Sequence, residues 1–186
     1  MKYLEATVKQ FRYYEMLGTK SIERLSETEI FEHPAKGSNN MAMIVKHMVG
    51  NMLSRWTDFL TADGEKTWRN RDEEFADDLE SKESVLAEWK KGWQCFYDAV
   101  LPLSDDDLNR TVLIRNQQHT IVEAINRQLA HYAYHVGQMV FLAKMKLGDK
   151  WESLSIAPGE SKKYNEKKFT NKDQSGHFTD EFLDNK

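Results

Sequence analysis

The chain has 186 residues, a formal net charge of −4 and one cysteine, Cys95. That length makes a single domain able to bury a core, with room for a tail. With 40% apolar and 30% charged residues, it shows no apolar run near the roughly 18 residues of a membrane span and no basic patch of the kind nucleic-acid binders carry; a lone cysteine forms no intramolecular disulfide, which fits a cytoplasmic protein.

The opening stretch, MKYLEATVKQFRYYEML, mixes charge into its apolar positions and does not read as a signal peptide. Leu4, Val8, Phe11, Ile22 and Leu25 recur at helical spacing and predict a first helix over residues 3–26. His33-Pro34 and Gly37 break the pattern. Ser38 or Asn39 is the expected cap of a second helix, because a short polar side chain there accepts from an orphan backbone amide. That helix runs through MAMIVKHMVGNMLSRWTDFLTA and is expected to end near Gly64. Residues 65–80 are highly charged, hold few periodic apolar positions and read as an ordered crossover.

Ser81 caps a third predicted helix, whose stripe is Val85, Leu86, Trp89, Trp93, Phe96 and Val100, ending at Pro102. Ser104 to Leu108 suits a short helical turn, and Thr111 to His119 reads as extended or irregular. Thr120 and Glu123 have capping-box spacing, and the fourth helix then runs to about Gly148. Trp151, Leu154 and Ile156 are placed to fold back. The expected architecture is all-α: a four-helix bundle over residues 1–165, with a long crossover between helices 2 and 3, followed by a polar, loosely ordered tail at 166–186.

The chemistry lies in HYAYHVGQM, where His131 and His135 stand one turn apart on the fourth helix. Their face also carries Ile121, Ile125, Gln128, Met139 and Leu142, so it points inward. Spacing alone leaves two readings: satisfied core histidines, or ligands of one metal ion, since side chains about 5–6 Å apart at their Cβ atoms can converge on it. His47 is a candidate third ligand, embedded in the apolar stripe of IVKHMVGNM. Three histidines with open positions allow zinc, nickel or iron. Gln138, Tyr134 and Asn51 are candidates to orient the ligands. Tyr132 stands where a zinc protease of the HExxH type has glutamate, which argues against that activity.

The block RNRDEEF has two readings: a solvated, salt-bridged crossover, or arginines that contact an acidic cofactor at the bundle mouth. Cys95 reads as a structural thiol, and His33, His119 and His177 as solvated, with His119 the one nearest a helix entrance.

The single histidine in IVKHMVGNM, the pair in HYAYHVGQM, and the segments SRWTDFLTADGEKTWRNRDEEF and WESLSIAPGES together resemble the DinB-like (YfiT-like) superfamily of bacterial four-helix bundles, over residues 1 to about 165. The resemblance implies a divalent metal held by His47, His131 and His135. It also implies a homodimer and, from some members, activation of a low-molecular-weight thiol for transfer or isomerisation. Three functions follow as expectations: a thiol-dependent S-transferase acting on a small electrophilic substrate, a non-catalytic metal-binding or stress-associated bundle, and a metal-dependent hydrolase.

Overall fold

The computed structural model describes residues 1–170 and 175–183. The described chain is mostly helical: α1 (Tyr3–Arg24), α2 (Glu27–Phe31), α3 (Met41–Trp56), α4 (Lys82–Val100), α5 (Ile121–Leu147), α6 (Ser161–Thr170) and α7 (Asp180–Leu183), with one hairpin of β1 (Thr111–Ile114) and β2 (Gln117–Thr120). The four long helices α1, α3, α4 and α5 close a ring of contacts, in which α1 and α3 each pack against both α4 and α5. Their inward stripes meet in an aromatic core of Phe11, Trp56, Trp89, Trp93, Phe96 and Tyr132, filled out by Met48, Met52 and Met139. No described helix is long and apolar enough to cross a membrane.

Two caps stand where the sequence places them. Ser81 accepts from the Ser84 amide at the start of α4, and Thr120 and Glu123 cap each other at the start of α5. The cap of α3 is Asn40, one residue beyond the expected pair. Its Oδ1 accepts from the Met43 amide at 2.9 Å, while its Nδ2 donates to Phe31 O and Asp77 Oδ1. Asn40 thus caps α3 and ties it to the end of α2 and to the crossover at once.

Helix α3 stops at Trp56 rather than near Gly64. Asp58 takes a left-handed conformation, φ 49°, which a short polar residue tolerates. The turn brings Phe59 back against the Trp56 ring, centroids 4.6 Å apart. The Gly64 amide then donates to Leu113 O of the hairpin. The apolar periodicity of TDFLTA thus reflects packing of a turn, not continuation of a helix.

The segment read as extended or irregular is an antiparallel hairpin, with Ile114 paired to Gln117. Arg115 and Asn116 at its tip have φ 56° and 58°, the geometry of a two-residue type I′ turn. The Asp63 carboxylate accepts the backbone amides of Glu65, Arg115 and Asn116, tying crossover to hairpin. A further element, α2, is closed by a capping box between Ser26 and Glu29 and anchored by the fully buried Ile30.

Beyond α5, Trp151 packs on the core beneath the Arg24 guanidinium, whereas Ile156 is exposed. Of the tail at 166–186, residues 171–174 and 184–186 lie outside the described part. The remainder includes the end of α6 and the segment 175–183, where Phe182 packs on Tyr13 and Asp180 pairs with Lys9 at 2.8 Å, holding α7 against α1.

Candidate metal centre

The cap at Thr120 starts α5, and the helix then runs unbroken past both of its inward histidines. His131 and His135 turn toward α3, while Tyr132 between them turns into the aromatic core and accepts a hydrogen bond from Trp56 Nε1 at 2.9 Å. His47 faces them from α3: its ring centroid lies 5.5 Å from that of His131 and 4.8 Å from that of His135. One nitrogen from each of the three can be chosen so that all lie within 4.8 Å of one another.

The crossover closes the site from the third side. Its 3₁₀ turn at Asp72–Phe75 buries Glu74, whose Oε2 accepts from His47 Nδ1 at 2.9 Å. Arg69 holds the same carboxylate with two bonds, Nε to Oε1 at 2.6 Å and Nη2 to Oε2 at 3.0 Å. Burial opposes ionisation of Glu74, but the bonds from His47 and Arg69 outweigh it and hold the carboxyl below its usual range. Gly50 makes this approach possible: a Cβ there would overlap the Glu74 carboxylate. Phe75 stacks on the His47 ring, centroids 5.1 Å apart.

These contacts decide the tautomers. A carboxylate only accepts, so His47 Nδ1 is the donor in this bond and its Nε2 is left for the centre. His135 Nδ1 donates to Gln138 Oε1 at 2.8 Å, and Gln138 Nε2 donates to Tyr134 at 3.2 Å, which likewise leaves His135 Nε2 bare. His131 Nε2 stands 3.0 Å from His135 Nε2. Without metal, a proton on His131 Nε2 bridges the two. Two nitrogens bound at roughly 2.0–2.1 Å and about 90° apart on one ion would stand about 3 Å from each other. The residues therefore fit a divalent ion in place of that proton. Burial first, then the neighbouring His135 and His47, push the His131 pKa down to about 3, and burial lowers that of His135. Both stay neutral near pH 7, the form a metal requires.

The structure thus brings His47, His131, His135, Gln138 and Tyr134 into one network. Asn51 makes no hydrogen bond to the histidines; it lines a cleft of about 210 Å³ beside His47 and His131, with its buried Oδ1 unpaired. His33 bridges Ser38 O and Asp77, His119 meets Arg127, and His177 bonds Thr179, all away from the trio. Cys95 is half-buried beside Thr57, and burial raises its pKa, as for a structural thiol.

The block RNRDEEF divides. Arg71, Asp72 and Glu73 are exposed, whereas Glu74 and the Arg69 side chain are buried behind His47. Sequence reasoning missed this pair because it lies within an otherwise solvated charge run. The available signal was Gly50, one turn beyond His47 on the same face, a gap into which another side chain can reach.

Fold and site define a helical protein with three converging histidines that could hold a metal. The chain belongs to the family described as "Protein of unknown function (DUF1572)", whose model matches residues 1–160. No curated protein matches it in sequence.

Proposed function

We propose that this protein is a metal-dependent enzyme of the DinB-like, four-helix-bundle kind, which activates a low-molecular-weight thiol for transfer to a small electrophile. The observation that carries the reading is the trio of converging histidines, with Glu74 and Gln138 on the outward nitrogens of two of them. Three neutral ligands leave a divalent ion's charge uncompensated and leave coordination positions open. Such an ion favours an anionic fourth ligand, a thiolate or hydroxide, and lowers the pKa of the bound group. Glu74 and Arg69 would orient His47, and Gln138 would orient His135.

A purely structural site closes its shell with protein atoms. Among the described residues no fourth His, Cys, Asp or Glu side chain joins the trio, which favours the catalytic reading over the non-catalytic one. A hydrolase would need a base beside the ion, and Glu74 is already held by His47 and Arg69. A cytoplasmic homodimer belongs to the same reading. Tyr134, Phe141 and Met145 support it as an exposed apolar stripe on α5, with no side chain at Gly137 between them.

The test is metal content by elemental mass spectrometry, followed by loss of a model electrophile with and without thiol. Near one equivalent of zinc, nickel or iron is expected in the wild type, less than a tenth of that in the His131→Ala, His135→Ala variant, and thiol-dependent turnover only in the former. A folded wild type that binds no metal would overturn the reading.

A further inference from the structure

The cleft beside the histidines contains an imbalance that the metal centre does not explain. Five arginines line it and no carboxylate does. Arg69 is neutralised by Glu74 and Glu65, and Arg115 shares Glu65. Among the described residues, the one hydrogen bond of the Arg127 side chain is to the ring of His119, and Arg71 has no ion pair.

Arg55 is the sharpest case. It is 3% exposed, and its Nε and Nη1 have no hydrogen-bond partner. The backbone of Gly64 lies against its guanidinium, where a Cβ would collide with it. Burial lowers its pKa to about 10, so the group still carries its charge at neutral pH. A buried, unpaired charge is costly to keep, and a guanidinium is shaped to grip a planar or tetrahedral oxyanion with two bonds. Two further orphans line the same cleft, Asn51 Oδ1 and Gln128 Oε1. Each would be satisfied by an O–H or N–H donor.

We propose that this cleft is an oxyanion subsite: Arg55, Arg71 and Arg127 hold a carboxylate or phosphate of a small-molecule reactant, and Asn51 and Gln128 accept from hydroxyl or amide donors beside it. The volume of about 210 Å³ is that of roughly seven water molecules at ~30 Å³ each, which suits one end of a small molecule. His47 and His131 border the cleft, so a reactant anchored there extends its other end over the metal. The assignment rests on the enzyme reading above and adds the reactant's chemistry to it. The oxyanion belongs either to the thiol or to its acceptor.

Calorimetry with inorganic phosphate and with succinate, on zinc-loaded and zinc-free protein, tests it. Binding of both anions is expected with or without zinc, and the neutral diamide of succinate should not bind. R127Q and R71Q, both exposed positions, should each weaken binding about tenfold, whereas K91Q, remote from the cleft, should leave it unchanged. R55Q should abolish binding; if it does not fold, the two exposed variants still decide. Displacement of phosphate by S-methylglutathione assigns the subsite to the thiol, and displacement by chloroacetate alone assigns it to the electrophile; either supports the proposal. Anion binding that requires zinc and ignores R127Q and R71Q would place the anion on the ion and overturn the subsite while leaving the metal enzyme standing. Anion binding in a protein that takes up no metal would do the reverse.

Discussion

The interior around Tyr132 and the interior around His131 share one helix but close their hydrogen bonds differently. On the Tyr132 side, the polar edges of large aromatic rings find partners inside the protein: Trp56 donates to Tyr132 and Trp89 to Thr19, with Trp93 the exception. On the His131 side, Arg55, Asn51 and Gln128 keep unpaired polar atoms, and two histidine nitrogens are aimed at each other. The first region is explained by packing and by the hydrogen bonds it satisfies. The second is costly until something enters it. Buried polarity without partners separates a functional cavity from a core more sharply than burial itself, since both regions are buried.

Four perturbations sharpen this contrast. The largest effect is expected for Glu74→Ala, which strips His47 of its acceptor and leaves Arg69 with only the longer contact to Glu65. Breaking a buried ion pair costs about 3–5 kcal/mol, and loss of the partner that orients a ligand weakens metal binding roughly 10–100-fold. Urea melts and a zinc titration would show both losses together.

Tyr132→Phe should cost about 1–3 kcal/mol by leaving the buried Trp56 N–H unpaired, with metal content unchanged. A variant that also lost metal would mean that the two interiors are not independent.

Gly50→Ala comes next. Helix propensity alone favours alanine by about 1 kcal/mol, yet the new methyl would displace Glu74. A net loss of about 1–2 kcal/mol is expected from overpacking, accompanied by weaker zinc binding in the same titration.

The smallest effect concerns pH in the metal-free protein. The folded pKa of His131, about 3, lies below its unfolded value, so the unfolded chain binds more protons between the two. Stability is therefore full above about pH 6.5 and falls as pH drops toward the folded value. Between pH 7 and 5.5 the loss should be about 1 kcal/mol or less, because the ring is partly solvent-screened. Thermal melts of the wild type should show it, and His131→Gln should show less of it, keeping only the share of His135, whose pKa burial also lowers. Glu74, with its folded pKa depressed, withdraws its contribution only at lower pH.

Much of the framework could be read from the chain because periodicity and caps are local. The stripes of α1, α4 and α5 and the caps at Ser81 and Thr120 depend on residues within one or two turns of each other. The inward faces of His47, His131 and His135 follow from the same pattern, since a histidine within an apolar stripe must turn inward with it. What escaped reading depends on distant partners. Asn40 is selected as cap by its bonds to Phe31 and Asp77, and α3 ends where Phe59 finds Trp56. Glu74 differs from its neighbours Asp72 and Glu73 only through the phase of a 3₁₀ turn. The arginine cleft gathers Arg55, Arg71, Arg115 and Arg127 from four separate stretches, and no window along the sequence contains them together.

The unbroken course of α5 from Thr120 sets a limit on how the gene can change. Its capping box fixes the phase of the helix at one end, and each added residue turns everything beyond it by about 100° and advances it about 1.5 Å. One codon inserted between Thr120 and His131 would swing both histidines off the site and carry Tyr132 out of the aromatic core. A single reading-frame-preserving insertion or deletion there would disable both interiors, whereas the segment after Gly148, past the last turn of α5, has far more freedom to vary in length.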